Sequence, residues 1–190
     1  DGIRVQGSGG PGTVRLRGNL VSDNIDGVWA FESSLELWDC TFTQNTDAGV
    51  YSQNGTCLAT GCTFYQNEDG LYASGGWATA SECDFVQNNN SGILTEENLL
   101  QVIGCFFFKN TDGVLDLGNS TFDLYDGVFE QNAAYAIYFG QTTQGSWTIE
   151  NAASAADDRF RLAGNLTVSY GASLRLTNAT IFMMLDIAGE

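Results

Sequence analysis

From Leu35 to Tyr138 one short pattern returns at intervals of 21 or 22 residues, and this constrains the fold more tightly than anything else in the chain. Its clearest copies are Cys40-Thr41-Phe42-Thr43-Gln44-Asn45-Thr46-Asp47-Ala48-Gly49-Val50-Tyr51 and Cys62-Thr63-Phe64-Tyr65-Gln66-Asn67-Glu68-Asp69-Gly70-Leu71-Tyr72, and three more begin at Cys83, Cys105 and Gly127. A fixed period this short marks a solenoid, in which one repeat cannot bury its own apolar face and must stack on its neighbours.

Aligned on one another, the repeats resolve into short apolar pairs. The first pair reads Val14/Leu16, Leu35/Leu37, Cys57/Ala59, Ala78/Ala80, Leu100/Val102, Phe122/Leu124, Trp147/Ile149 and Leu174/Leu176. The second reads Asn19/Val21, Cys40/Phe42, Cys62/Phe64, Cys83/Phe85, Cys105/Phe107, Gly127/Phe129, Ala152/Ser154 and Ala179/Ile181. Within a pair the spacing is i, i+2, the strand period that points both side chains to one side. The step of three between pairs resets that phase, so both pairs face inward around a bend. A third segment opens at Gly2, Gly27, Gly49, Gly70, Gly92 and Gly113, with Ala136 in the last copy, each followed by Ile, Val or Leu. Three strands per turn, each paired with its equivalent one repeat later, make a parallel β-helix. A helical solenoid is excluded because the apolar period is two rather than 3.6. Eight copies of the first pair give about eight turns, and the whole chain, 1–190, reads as one domain with regular coils over 1–139 and irregular coils over 140–190. Ala152 to Asp158 reads as a loop, and Phe182 to Leu185 as an apolar cover for the last coil.

Several files of identical residues follow. Asn24, Asn45, Asn67, Asn88, Asn110 and Asn132 fall at one bend, where stacked amides hydrogen-bond along the column. Phe42, Phe64, Phe85, Phe107 and Phe129 form a second file. The glycine after each asparagine suits either positive φ or close backbone approach. Cys40, Cys62, Cys83 and Cys105 make a third file, and with Cys57 they read as buried thiols; in-register neighbours give strained disulfides, and five is an odd number.

Charge and composition narrow the chemistry. The chain has 23 acidic and seven basic residues, a net charge of -16, which argues against nucleic acid and anionic membrane surfaces. Histidine is absent, removing the commonest general base and zinc ligand. No run of about 18 apolar residues is present to span a membrane. The opening residues lack the pattern of a signal peptide, so any export signal lies outside this chain or has been removed. Sequons start at Asn54, Asn89, Asn119, Asn165 and Asn178 and point to an extracellular or cell-surface location. The chain opens within a repeat, leaving a strand edge that upstream residues or another subunit would cover, so self-association through the rod ends is expected.

The Asn-x-x-Gly-Ile/Val turns preceded by Cys/Gly-x-Phe resemble the right-handed parallel β-helix repeat family, the superfamily of pectate lyases, polygalacturonases and NosD-like surface and periplasmic proteins. The resemblance covers Asp1 to Tyr138 closely and the rest loosely. The closing Trp147-Thr148-Ile149, Gly164 to Val168 and Ala172 to Leu176 are similar to the final coils of archaeal extracellular β-helix proteins. It implies a right-handed coil and, for an enzyme, a site on the outside of one sheet, with calcium on several carboxylates and a basic residue in lyases, or clustered aspartates in hydrolases.

The outward positions do not supply such a cluster. That of the first pair reads Arg15, Glu36, Leu58, Thr79, Gln101, Asp123, and that of the second Leu20, Thr41, Thr63, Asp84, Phe106, Val128. No two acids fall on neighbouring turns, whereas a paired-carboxylate hydrolase needs two acids about 5 to 9 Å apart. Outward in the third segment stand Arg4, Trp29, Tyr51, Tyr72, Leu94, Leu115 and Tyr138, so Trp29, Tyr51, Tyr72 and Tyr138 are the candidate carbohydrate-stacking residues. Aromatic pairs also stack across sheets for stability alone. Asp26, Asp47, Asp69 and Asp112, interrupted by Asn90, read as a partial acidic file that calcium would bridge; otherwise the acids solvate a bend and no cofactor is needed. The expectation is thus a non-catalytic structural or binding rod that self-associates end to end. The alternatives are a polysaccharide lyase or glycoside hydrolase fragment, with Asp84 and Asp123 as its acids, and a carbohydrate-binding module.

Overall fold

The computed structural model describes residues 2–7, 12–118, 120–139, 147–150, 153–154, 160–162 and 174–177. The described residues form three parallel sheets of eight, eight and seven strands. A glycine sheet is built from the third segments: Ile3–Gln6, Val28–Phe31, Ala48–Gln53, Asp69–Ser74, Ser91–Glu96, Asp112–Asp116, Tyr135–Phe139 and Phe160–Leu162. The first apolar pairs make a leucine sheet: Thr13–Arg17, Ser34–Trp38, Thr56–Thr60, Trp77–Ser81, Leu99–Ile103, Thr121–Tyr125, Trp147–Glu150 and Leu174–Thr177. A phenylalanine sheet holds the second pairs: Leu20–Ser22, Thr41–Thr43, Thr63–Tyr65, Asp84–Val86, Phe106–Phe108, Val128–Glu130 and Ala153–Ser154. Every strand pairs in parallel with its equivalent one turn away, as Phe85 does with Phe64 and Phe107.

Six regular turns, from Ile3 to Glu130, carry all three strands, and a seventh, Tyr135–Phe139, Trp147–Glu150 and Ala153–Ser154, has only a two-residue third strand, so the count falls slightly short of the eight expected. The larger figure counted the first apolar pair, which does make eight strands; a turn also needs the other two. Ala153–Ser154 is a short strand on Val128–Phe129, so the expected loop over 152–158 is broken there. Phe160–Leu162 extends the glycine sheet, a strand the pattern did not signal because its glycine is missing. The segment Phe182 to Leu185 lies outside the described residues.

Inside, the files form as the period dictates. Phe42, Phe64, Phe85, Phe107 and Phe129 are fully buried, with successive ring centroids 5.2, 4.7, 4.9 and 4.7 Å apart and planes within 18° of parallel. Strand spacing of about 4.8 Å sets that separation, so the rings stack face on face rather than edge on. The five cysteines are free and buried. Sγ of Cys40 donates to the Trp38 carbonyl at 3.2 Å, and that of Cys83 to Ser81 at 3.3 Å. Asn19 departs from the inward role its alignment suggests: it is exposed, and its amide donates to the Arg17 carbonyl at 2.9 Å.

The asparagine corner, between the phenylalanine and glycine sheets, is a continuous hydrogen-bonded column. Oδ1 of Asn67 accepts from the Asn45 backbone N–H at 3.1 Å and from Asn45 Nδ2 at 2.9 Å. Its own Nδ2 donates to the Phe42 carbonyl at 3.0 Å and to Asn88 Oδ1 at 3.2 Å. All four valences of the amide are used, and the pattern repeats at Asn88 and Asn110. The glycines three or four residues later meet a close approach rather than positive φ: a Cβ on Gly70 would lie 2.4 Å from the Gly92 carbonyl oxygen and 2.8 Å from the Phe85 ring. Positive φ instead falls on the residue before each asparagine, namely Asp23, Gln44, Gln66, Gln87, Lys109 and Gln131, at 54 to 60°.

Candidate functional site

The outward file of the glycine sheet keeps its predicted register, with Trp29 against Tyr51, Tyr51 against Tyr72, Leu94 against Leu115 and Leu115 against Tyr138. Arg4 lies over the Trp29 ring with its guanidinium carbon 4.4 Å from the centroid. Centroids of Trp29 and Tyr51 are 6.5 Å apart, and those of Tyr51 and Tyr72 4.8 Å, with planes tilted by 37° and 57°. Three of the four predicted aromatics therefore make one half-exposed stripe. Leu94 and Leu115 separate Tyr138 from it, and Tyr138 packs on Tyr135 at 5.5 Å instead.

Acids surround the stripe. The Tyr72 hydroxyl donates to Glu96 Oε2 at 3.4 Å. Burial first, then Glu96 and Tyr51, push the Tyr72 phenol up to about 12. Burial, with Asp26, Glu96 and Asp47, moves Tyr51 the same way. Both phenols remain neutral hydrogen-bond donors in neutral solution. A face of donors and rings ringed by carboxylates suits neutral or amine-bearing sugars better than uronates.

A second outward surface was missed in the sequence. On the leucine sheet Trp77 and Leu99 are register partners and stand 51% and 54% exposed, with Leu58 at 36% one file along. Thr56, Thr79, Gln101 and Thr121 adjoin them, so the surroundings of Trp77 and Leu99 on the sheet are uncharged, with Glu36 beside Leu58 at the margin. The position just ahead of the first pair reads Thr13, Ser34, Thr56, Trp77, Leu99 and Thr121, and inspecting it would have exposed the pair.

The acidic file does not assemble as expected. In the observed register Asp69 pairs with Ala48 and Ser91, and Ser91 with Asp112, so the acids alternate with neutral residues. Asp47 is exposed, outside that file. The cause is a one-residue difference: Asn67 to Gly70 spans three positions, but Asn45 to Gly49 spans four. Asp26, Asp69 and Asp112 are thus two strand spacings apart and buried. Asp26 accepts from the Ala48 N–H at 3.3 Å, while Asp69 accepts from Asn90 Nδ2 at 2.9 Å, the Ser91 N–H at 3.0 Å and the Ser91 hydroxyl. Burial raises all three carboxyls, Asp112 to about 6. Among the described residues no three acidic or thiol side chains converge where they could hold a metal ion.

The candidate catalytic acids also stand apart. Asp84 lies on the phenylalanine sheet between Thr63 and Phe106, and Asp123 on the leucine sheet between Gln101 and Thr148. Burial pushes the Cys57 thiol up to about 12, far from nucleophilic use.

The sequence model of the right handed beta helix region matches residues 26–181, most of the chain. The chain belongs to the right-handed β-helix family. Comparison with curated proteins and with solved structures gives no match. Membership fixes the hand of the coil and no chemistry, because this fold hosts unrelated activities on its outer faces. In this right-handed β-helix the sequons at Asn54 and Asn89 are exposed, and those at Asn119, Asn165 and Asn178 lie outside the described residues. No helix among the described residues is long and apolar enough to cross a membrane.

Proposed function

We propose that the chain is a non-catalytic, extracellular or cell-surface rod that serves as a structural and binding element and extends by end-on stacking of turns. One observation carries this reading. Ile3, Val5, Val14 and Leu16 in the first described turn are half-buried, whereas their file partners Val28, Ala30, Leu35 and Leu37 are 0 to 1% exposed. Each turn buries the files of its neighbour, and a parallel turn offered by a second molecule would bury these residues in the same way. Among the described residues no single outward file of the leucine or phenylalanine sheet has acids on neighbouring turns, which supports a scaffold over a lyase or hydrolase.

Sedimentation across a range of concentrations tests end-on stacking. The parent associates as concentration rises, and Val5→Asp, which puts a charge on the stacking face, remains monomeric. A parent that stays monomeric at every concentration contradicts end-on association.

A second reading, glycan binding, is favoured by the Trp29–Tyr51–Tyr72 stripe and the Trp77–Leu99 patch. On a glycan array the parent binds neutral or amine-bearing glycans and not polyuronates. The Tyr51→Ala, Tyr72→Ala double variant and Trp77→Ala assign the binding to one face or the other, and a silent parent removes this reading.

A further inference from the structure

Among the described residues three buried side-chain oxygens have no hydrogen-bond partner, Asn98 Oδ1, Asp112 Oδ1 and Asp116 Oδ2. Two of the three belong to one cluster at the corner between the glycine and leucine sheets. Thr95 and Asp116 are register partners on turns five and six. Ser120 stands over Asn98, since the next residue, Thr121, donates its N–H to the Asn98 carbonyl at 2.8 Å. The Ser120 hydroxyl lies 3.5 Å from Thr95 Oγ1 and 3.4 Å from the Asn98 backbone nitrogen, and it hydrogen-bonds the Asp116 carboxylate. Asp116 Oδ1 accepts the Gly118 N–H at 3.0 Å, and Oδ2 is the oxygen without a partner. Thr95, Asn98, Asp116 and Ser120 are 0, 4, 2 and 0% exposed.

A positive charge would satisfy both. Both orphan atoms are acceptors, and a carboxylate removed from water is strongly unfavourable unless neutralised. Among the described residues no side chain does this: Lys109 is the one basic residue between Arg17 and Arg159, and its ammonium sits over the Phe108 ring, 4.9 Å from the centroid, on the outside of the phenylalanine sheet. Earlier turns carry Ala30, Ser52 and Ala73 in the file of Thr95 and Asp116, so the oxygen-rich set is particular to this place. We propose that Asp116, Asn98, Thr95 and Ser120 form an interior site for one small monovalent cation of the sodium class, held between turns five and six. One carboxylate balances one charge, and four side-chain oxygens fall short of the six to eight that calcium takes. An ion bound only by the folded chain stabilises it by mass action, by an amount that grows with its concentration. Burial raises the Asp116 carboxyl, with Glu96 adding to the shift, so a proton is the competing occupant.

Thermal unfolding in sodium chloride against choline chloride at equal ionic strength separates specific binding from screening of the acidic surface. The parent unfolds several degrees higher in sodium, Asp116→Asn loses that difference, and Asp69→Asn, a buried acid of another corner, keeps it. A thallium(I) soak of parent crystals places an anomalous peak within ligand distance of Asp116 and Asn98, a readout that stands even if Asp116→Asn fails to fold. Equal parent midpoints in the two salts, or no such peak, overturn the proposal. Stabilisation that follows falling pH and not sodium, and that Asp116→Asn removes, overturns it in favour of a proton.

Discussion

Two corners of the same coil solve the same problem differently. At the asparagine corner one residue type recurs on every described turn, and each amide lends its oxygen to the turn before and its nitrogen to the turn after. At the corner leading into the leucine sheet the corresponding file reads Ser33, Gly55, Gly76, Asn98 and Ser120, without a common partner, and two unpaired oxygens gather there. Repetition satisfies buried polar groups because every copy is donor and acceptor to an identical neighbour. Variation leaves remainders, and remainders are where ligands can enter.

The comparison can be broken most severely beside the asparagine corner. Phe85→Ala removes one ring from the fully buried stack and is expected to cost about 3 to 5 kcal/mol by urea unfolding. Asn67→Ala follows at about 3 kcal/mol, because it strands the Asn45 donors and the Phe42 carbonyl together. The glycines sharpen the contrast between corners. Gly70→Ala drives a methyl into the Gly92 carbonyl and should cost about 2 kcal/mol or more, whereas at Gly75 the obstruction is the Asn54 side-chain oxygen, leaving mainly the strain of φ +62°, about 1 kcal/mol.

Those residues also show how much of the molecule was legible in its sequence. Phe85 and Asn67 were readable because a file of one residue type at a fixed period has a single geometric explanation. The acidic file was misread because copies aligned from their asparagines differ by one residue before the glycine, and a slip of one exchanges Asp47 for Ala48. The Trp77–Leu99 patch went unseen because exposure is a property of the assembled sheet, and two large apolar residues among threonines and serines in one file make no repeating pattern. Asn98 and Asp116 each occur once in their files and Ser120 recurs only as Ser33, so periodicity carried no signal for them.

Smaller effects test the electrostatics and the strain. Asp112 is raised in the folded state to about 6 from 3.8, so the fold holds its proton more tightly than the unfolded chain does. Its contribution to stability is complete below about pH 4 and is lost as pH rises towards about 6. Urea midpoints over that range should fall with pH more steeply for the parent than for Asp112→Asn; equal slopes would assign the dependence to other buried acids. Smallest is Gln87→Gly, which relieves a left-handed backbone at φ 54° and should change stability by about 1 kcal/mol at most, in the stabilising direction, while Gln87→Val at the same place destabilises.

The central claim is that successive turns lie in register, so that like side chains meet in bonded files along one axis. Side-chain amide hydrogen exchange followed by NMR tests it most directly. The Nδ2 protons of Asn45, Asn67, Asn88 and Asn110 should exchange orders of magnitude more slowly than those of the exposed Asn54 and Asn89. Exchange of all six at the rate of a free amide would contradict the stacked ladder and the fold built on it.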